Sequence, residues 1–436
     1  MIYKGITLPN ETVTPQSFGA VGDGRADDLA MLSEAAAYAR EKKCILELPS
    51  GSYYTSDTLV LEGVTVLSRD AEILYNGHRL DAPGVYVGDG TAIYGNLRID
   101  ANDDPQDHYG QRAGMAFGDF YTGVGSHRCY VESVELTGGI KNANGIVITG
   151  DCSDIRIDRV FIPEGTNICR GVCIHWGNRR AHHTVDAVGT GFAPDMKEKG
   201  YIHEPDGGPT THPHGIYLGR VECSGFRPLG TERSDSDKAA VIVCAGYDIS
   251  VDEIVMHDSC HAFAVTGADN GFEYADRAVR ELEPKNIYVK KITGTAMRSA
   301  GVFLIDYPWY LNDARVNMHV RIDECFVEAA PCNRNVGVEI VGVESAEFGS
   351  VTVRNYQRQA FDILGGAKNV AVCTLNVESC KGEAVFIRDG KGKSTAEKVS
   401  FGKINITSDS AENISTLYAD GVKELSIGNI SVSVSK

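Results

Sequence analysis

Phe18-Gly-Ala-Val-Gly-Asp-Gly-Arg-Ala-Asp-Asp28 is the stretch on which the reading of this chain turns. Gly19, Gly22 and Gly24 permit backbone angles that a Cβ forbids, so the segment turns tightly. Asp27 and Asp28 stand at the N-cap and first turn of a helix, where a carboxylate suits the positive end of the helix dipole. Leu29, Leu32, Ala36 and Ala39 then recur at helical spacing and give that helix one apolar face. Arg40-Glu41-Lys42-Lys43 closes it, Ile45-Leu-Glu-Leu48 reads as a strand, and Pro49-Ser-Gly-Ser52 reads as a turn.

Beyond residue 60 the chain repeats. One unit is a small residue followed by alternating apolar positions, as in Gly145-Ile-Val-Ile-Thr149, Gly171-Val-Cys-Ile-His175 and Gly215-Ile-Tyr-Leu-Gly219. It returns at 240–244, 262–266, 301–305, 337–341, 360–364 and 384–388. A second unit follows most of these after a polar turn, as in Asp154-Ile-Arg-Ile-Asp158, Asp248-Ile-Ser-Val-Asp252 and Asn286-Ile-Tyr-Val-Lys290. Period-two alternation makes each unit a strand with one buried face. Returns after ~22 to 40 residues have the period of a solenoid. Few two-residue hairpin signals separate the units, which favours parallel rungs over a sandwich.

The FGAVGDGRADD segment, the helix after it and the Leu48-Pro-Ser-Gly-Ser-Tyr-Tyr-Thr-Ser56 stretch together resemble the opening of pectate-lyase-superfamily proteins, related to glycoside hydrolase family 28 and to phage tailspikes. The resemblance covers roughly residues 14 to 60. It implies an all-β, right-handed parallel β-helix whose N-terminal end is capped by the α-helix. The expected organisation is one domain over 1–436, with cap and first rung at 14–60 and insertions at 176–213, 267–284 and 306–313. The superfamily includes lyases, hydrolases, epimerases, fructotransferases and binding proteins, so the fold leaves the chemistry open.

Composition narrows the field. The net charge of −17 argues against nucleic acid and against an anionic membrane surface as partners. No stretch reaches the ~18 apolar residues of a membrane span. The start, Met1-Ile-Tyr-Lys-Gly-Ile-Thr7, has no secretory leader pattern, which points to the cytoplasm, or to secretion if a leader has been removed. The twelve cysteines lie in strand-like segments without C-x-x-C pairs and read as buried, reduced thiols. Trimers recur in this fold, and a homotrimer is one assembly open to the chain.

Aligning the first units puts alternate residues on an outer face. One outward column contains Val147, Cys173, Tyr217, Ile242, Ala264, Phe303, Glu339, Asp362 and Phe386, and the next contains His175 and Arg388. Such a mixture of polar and apolar side chains suits a loop-covered groove. His175, His182, His183, His203, His212 and His214 make up half of the twelve histidines and cluster around the longest insertion. They offer acid/base or hydrogen-bonding groups. No cofactor is required by this reading, and a divalent cation at the histidine-rich insertion is the one addition it allows. The third insertion carries Tyr307, Trp309 and Tyr310, rings on which a pyranose can stack.

His214-Gly-Ile-Tyr-Leu-Gly219 is similar to the GHG-I-x-I-G stretch of family 28 polygalacturonases, whose histidine lies at the active site. Pro213 replaces the first glycine, and the N-x-D, D-D and R-x-K motifs of that family do not occur in order. Asp-Asp pairs stand only at 27–28 and 103–104. The leading expectation is therefore a carbohydrate-active enzyme, a glycoside hydrolase acting on an oligo- or polysaccharide through two carboxyl groups. Asp306, Asp258, Glu204, Asp206 and Glu339 are its carboxylate candidates, Asp306 first. Asp306, His214, His175 and Asp258 form the catalytic set, and Tyr217, Trp309, Tyr307, Trp176, Glu339 and Arg388 the substrate contacts. A polysaccharide lyase with His175, Tyr217 or His214 as base, a tailspike-like glycan-binding protein, and an epimerase or fructotransferase are the alternatives.

Overall fold

A computed structural model describes residues 2–76, 82–101, 113–119, 122–138, 143–166, 168–177, 211–226, 238–267, 284–306, 318–331, 333, 335–389, 395–409 and 415–434. The fold is a right-handed parallel β-helix. The chain divides into two compact units, Met1–Gly219 and Arg220–Lys436.

The first unit opens with the glycine turn. Gly19, Gly22 and Gly24 all have positive φ, as the sequence requires. Asp28 stands at the N-cap position of the helix Leu29–Lys42, but its carboxylate reaches back into the turn. There it accepts the backbone N–H groups of Val21 at 2.7 Å and Gly22 at 2.9 Å. Leu32, Ala35, Ala36 and Ala39 form the buried face of the helix, which packs on the strands Ile45–Leu48 and Leu59–Leu61. This is the cap that the motif implied.

Two parallel sheets follow. In the first unit the short strands are Leu59–Leu61, Val85–Val87, Ala113–Phe117, Ala143–Ile148 and Ile168–Ile174, and the long ones include Thr65–Tyr75, Ala92–Asp100, His127–Thr137 and Ser153–Ile162, with the long strand His214–Ser224 beginning in it. In the second unit Val302–Asp306, Val338–Val341, Phe361–Leu364, Glu383–Arg388 and Ser415–Ala419 succeed one another in the short-stranded sheet. Each pairs in parallel with the next short strand along the chain, and a long strand intervenes in sequence. The inward positions of this sheet, such as Leu304, Ile340, Ile363 and Ile387, are fully buried. Each such side chain contributes about 1.5–3 kcal/mol of burial free energy.

The long strands begin at a left-handed corner. Arg128, Asp154, Asp248 and Asn286 each occupy the second position of a long strand with φ near +54° or +55°, and Gly215 holds the same position at +63°. Asp, Asn and Gly tolerate this conformation best. The segment 215–219 therefore belongs to the long-stranded series. The sequence reading had aligned it with the short strands, so Tyr217 leaves the column that contains Glu339.

Among the described residues no helix is long and apolar enough to cross a membrane. No disulfide joins cysteines among them, and all of those described except Cys373 are buried.

Candidate active site

The outward column of the second unit is where acid/base chemistry gathers. Backbone register aligns Phe303 with Glu339, Glu339 with Asp362, Asp362 with Phe386 and Phe386 with Tyr418, on five consecutive short strands. Two carboxyl groups thus stand side by side one strand spacing apart, about 4.8 Å, with aromatic rings before and after them.

Asp362 is 2% exposed, whereas Glu339 is partly buried. Burial pushes the Glu339 carboxyl up to about 7, the charge of Asp362 adds to the rise, and Arg388 and Arg358 oppose it. Burial also raises Asp362, again against Arg388 and Arg358. Arg388 is the nearer ionic partner of Asp362, with Nη2 3.6 Å from Oδ2. Its guanidinium also lies 5.5 Å from the Phe386 ring centroid. The other carboxylate oxygen of Asp362, Oδ1, is buried without a hydrogen-bond partner among the described residues. A buried carboxylate normally finds partners for both oxygens, so the site holds unused acceptor capacity.

Two ring pairs bracket these carboxyls. Phe386 and Tyr418 stack with centroids 4.7 Å apart and planes 18° apart. Phe303 stacks on His261 at 5.2 Å and 14°. His261 is buried and donates through Nδ1 to the carbonyl of Ala300, which fixes its tautomer.

The remaining expected site residues scatter. Asp258 occupies a turn at φ +57° and is held by Arg298 through two hydrogen bonds of 2.8 Å. That bidentate pair commits both of its carboxylate oxygens to Arg298 at the corner. Asp258→Asn keeps a residue tolerant of this φ and removes only the charge. It is expected to cost about 1 kcal/mol or less in denaturant unfolding and to leave turnover within about threefold of the parent's, because the carboxylate's hydrogen bonds go to Arg298. Asp306 ends its strand opposite Gly267, and its side chain lies outside the described residues. Tyr307, Trp309, Glu204 and Asp206 also lie outside them, as do 178–210, 268–283 and 307–313 within the insertions.

In the first unit, Gly177 and Thr211 pair through two backbone hydrogen bonds, of 2.9 and 2.8 Å, and so close the base of the longest insertion. His175, Trp176 and His212 surround this closure and are all buried. Trp176, expected as a sugar contact, is 1% exposed. The rings of His175 and Trp176 lie 3.5 Å apart. Tyr217 carries the Arg156 guanidinium 4.6 Å from its ring centroid, so one face is already covered. His214 starts its long strand with its N–H on the Cys152 carbonyl at 2.8 Å. Burial lowers His212 from 6.5 to about 4. Its folded-state pKa is depressed, so the stability it contributes is full above pH 6.5 and is lost as pH falls towards about 4. Denaturant titrations of the parent are expected to show this acid-side loss, and His212→Gln is expected to flatten it.

Among the described residues no group of three or more His, Cys, Asp or Glu side chains is disposed to hold a metal ion. Sequence reasoning offers Glu339 both as a carboxylate candidate and as a sugar contact, and Arg388 as a sugar contact, but leaves Asp362 out of both sets although it stands beside Glu339 in the same column.

No protein-family model matches this chain, and no curated protein matches it either. Among solved structures, the surface adhesin PfbA of Streptococcus pneumoniae matches over 97% of this chain and 91% of its own, with a TM-score of 0.50 and 13% identity. The A-module of the mannuronan C-5 epimerase AlgE6 of Azotobacter vinelandii matches over 96% and 98%, with a TM-score of 0.47 and 13% identity. An exopolygalacturonase of Thermotoga maritima matches over 98% and 93%, with a TM-score of 0.42 and 13% identity. At this identity the likeness to PfbA shows the fold, a parallel β-helix, and nothing of the chemistry.

Proposed function

We propose that the chain is a glycoside hydrolase whose catalytic pair is Glu339 and Asp362. The observation that carries this reading is the in-register juxtaposition of two carboxyl groups, Asp362 buried and Glu339 partly buried, between stacked aromatic rings on one outer column. Glycosidic-bond hydrolysis needs one carboxylic acid to protonate the leaving oxygen and one carboxylate to serve as base or nucleophile. Glu339, raised to about 7, keeps its proton near neutrality and is the acid. Asp362, with Arg388 against one oxygen, is the group better held as an anion. Phe303, Phe386 and Tyr418 offer apolar surface to sugar rings. Asp306 lies three residues beyond Phe303, and the proposal assigns it no step.

The experiment is a screen of the purified chain against neutral, uronic-acid and fructan oligosaccharides, with products read by mass and by ultraviolet absorbance. The expected result is a gain of one water per cut. An unsaturated product without water would replace hydrolysis by elimination. A change of configuration at constant mass would replace it by epimerisation. Binding without any product would make the chain a glycan-binding protein.

A further inference from the structure

Resting on the hydrolase reading, we infer that the sugar chain lies along the stack of short strands, with its glycone over Phe386 and Tyr418 and its leaving-group sugar over Phe303. Glu339 and Asp362 occupy equivalent positions on adjacent strands, so the line joining them runs across the strands, from rung to rung. In glycosidic hydrolysis the acid meets the glycosidic oxygen, and the second carboxyl, or the water it activates, meets the opposite face of the anomeric carbon. The scissile bond therefore points from the Asp362 side towards the Glu339 side.

The same column supplies a surface at each end of that line. One rung beyond Asp362 stands Phe386, backed by Tyr418 in the 4.7 Å stack. One rung before Glu339 stands Phe303, backed by the buried ring of His261. Each ring is held by its neighbour, so a bound sugar need not order it, and less conformational entropy is lost on binding. Arg388 fixes the polarity. It contacts Asp362 and leans on Phe386, which gathers positive charge on the side where the carboxylate must stay ionised. The acid is then Glu339, and the leaving group departs towards Phe303. Tyr418 is 44% exposed and open to a ligand.

The test compares Tyr418→Ala and Phe303→Ala on two probes, glycosyl fluorides, which have no leaving-group sugar, and trisaccharides of the same sugars. Tyr418→Ala is expected to lower kcat/KM about two- to tenfold on both probes, the range of one lost aromatic contact. Phe303→Ala is expected to produce a loss of that size on trisaccharides and none on fluorides. Phe303→Leu keeps the apolar packing and removes the ring, so it serves if the alanine variant does not fold. The opposite pattern would overturn the polarity. Parent-like values for both variants on both probes would overturn the placement along the strand stack. If the parent itself cleaves no probe, the hydrolase reading falls and this inference falls with it, an outcome seen before any variant is made.

Discussion

Glu339→Gln is expected to lower kcat by about 10²–10⁴-fold, the range of a lost general acid, and at the same time to make the protein more resistant to unfolding above neutral pH. The two effects have one cause. Burial, with Asp362 alongside, holds the Glu339 carboxyl at about 7 against an ordinary 4.5. The folded state therefore binds a proton that the unfolded state releases between those pH values. Stability from the protonated form is full below about 4.5 and is lost as pH rises through about 7. Glutamine is neutral at every pH, so the variant should match the parent in acid and exceed it in Tm at pH 8. A residue with a purely structural role would not give inactivity together with added stability, whereas a site held at a cost to stability would. Asp362→Asn should also remove turnover, since no other carboxylate shares a register position with Glu339 on its two neighbouring strands. Turnover within about threefold of the parent in either variant would take that residue out of the catalytic pair.

The fold was legible because its signals are local and periodic. Glycines at 19, 22 and 24, the helix they launch, and the alternation at 337–341 or 360–364 each demand one backbone state. The error at 215–219 has a physical origin. A glycine before an apolar alternation reads as the small residue opening a short strand, and it fits equally the left-handed corner that Asp154, Asp248 and Asn286 occupy in the long strands. Of the site, the column position of Glu339 and Asp362 was readable, because register on parallel strands follows from aligning the repeats. The roles we propose for them were not, because sequence weighs a carboxylate by the loop beside it, which favours Asp306 and Asp258, whereas burial and the Arg298 clamp on Asp258 are properties of the assembled fold. The burial of Trp176 is hidden from the sequence for the same reason. A tryptophan at the mouth of a long insertion looks like a sugar platform until its exposure is known.

Trp176→Ala is accordingly expected to be a folding variant, costing about 3–5 kcal/mol, which is a large share of the 5–15 kcal/mol typical of a domain. The ring is almost wholly buried and lies against His175. The Trp176 carbonyl accepts the Thr149 hydroxyl at 2.8 Å and the Nδ1–H of His175 at 3.3 Å, so the backbone here is fixed from two directions. The next residue, Gly177, pairs with Thr211 and passes so close to Gly150 that a Cβ on it would come within 2.6 Å of the Gly150 Cα. A cavity at 176 would open beneath the closure at the base of the 178–210 segment, where the chain has no slack to collapse into the space. Denaturant unfolding of the variant should therefore show a lower midpoint, and whatever folded protein remains should keep the parent's KM on oligosaccharides. An unchanged midpoint with a raised KM would return Trp176 to the substrate-binding surface and would mean that its burial is relieved when sugar binds.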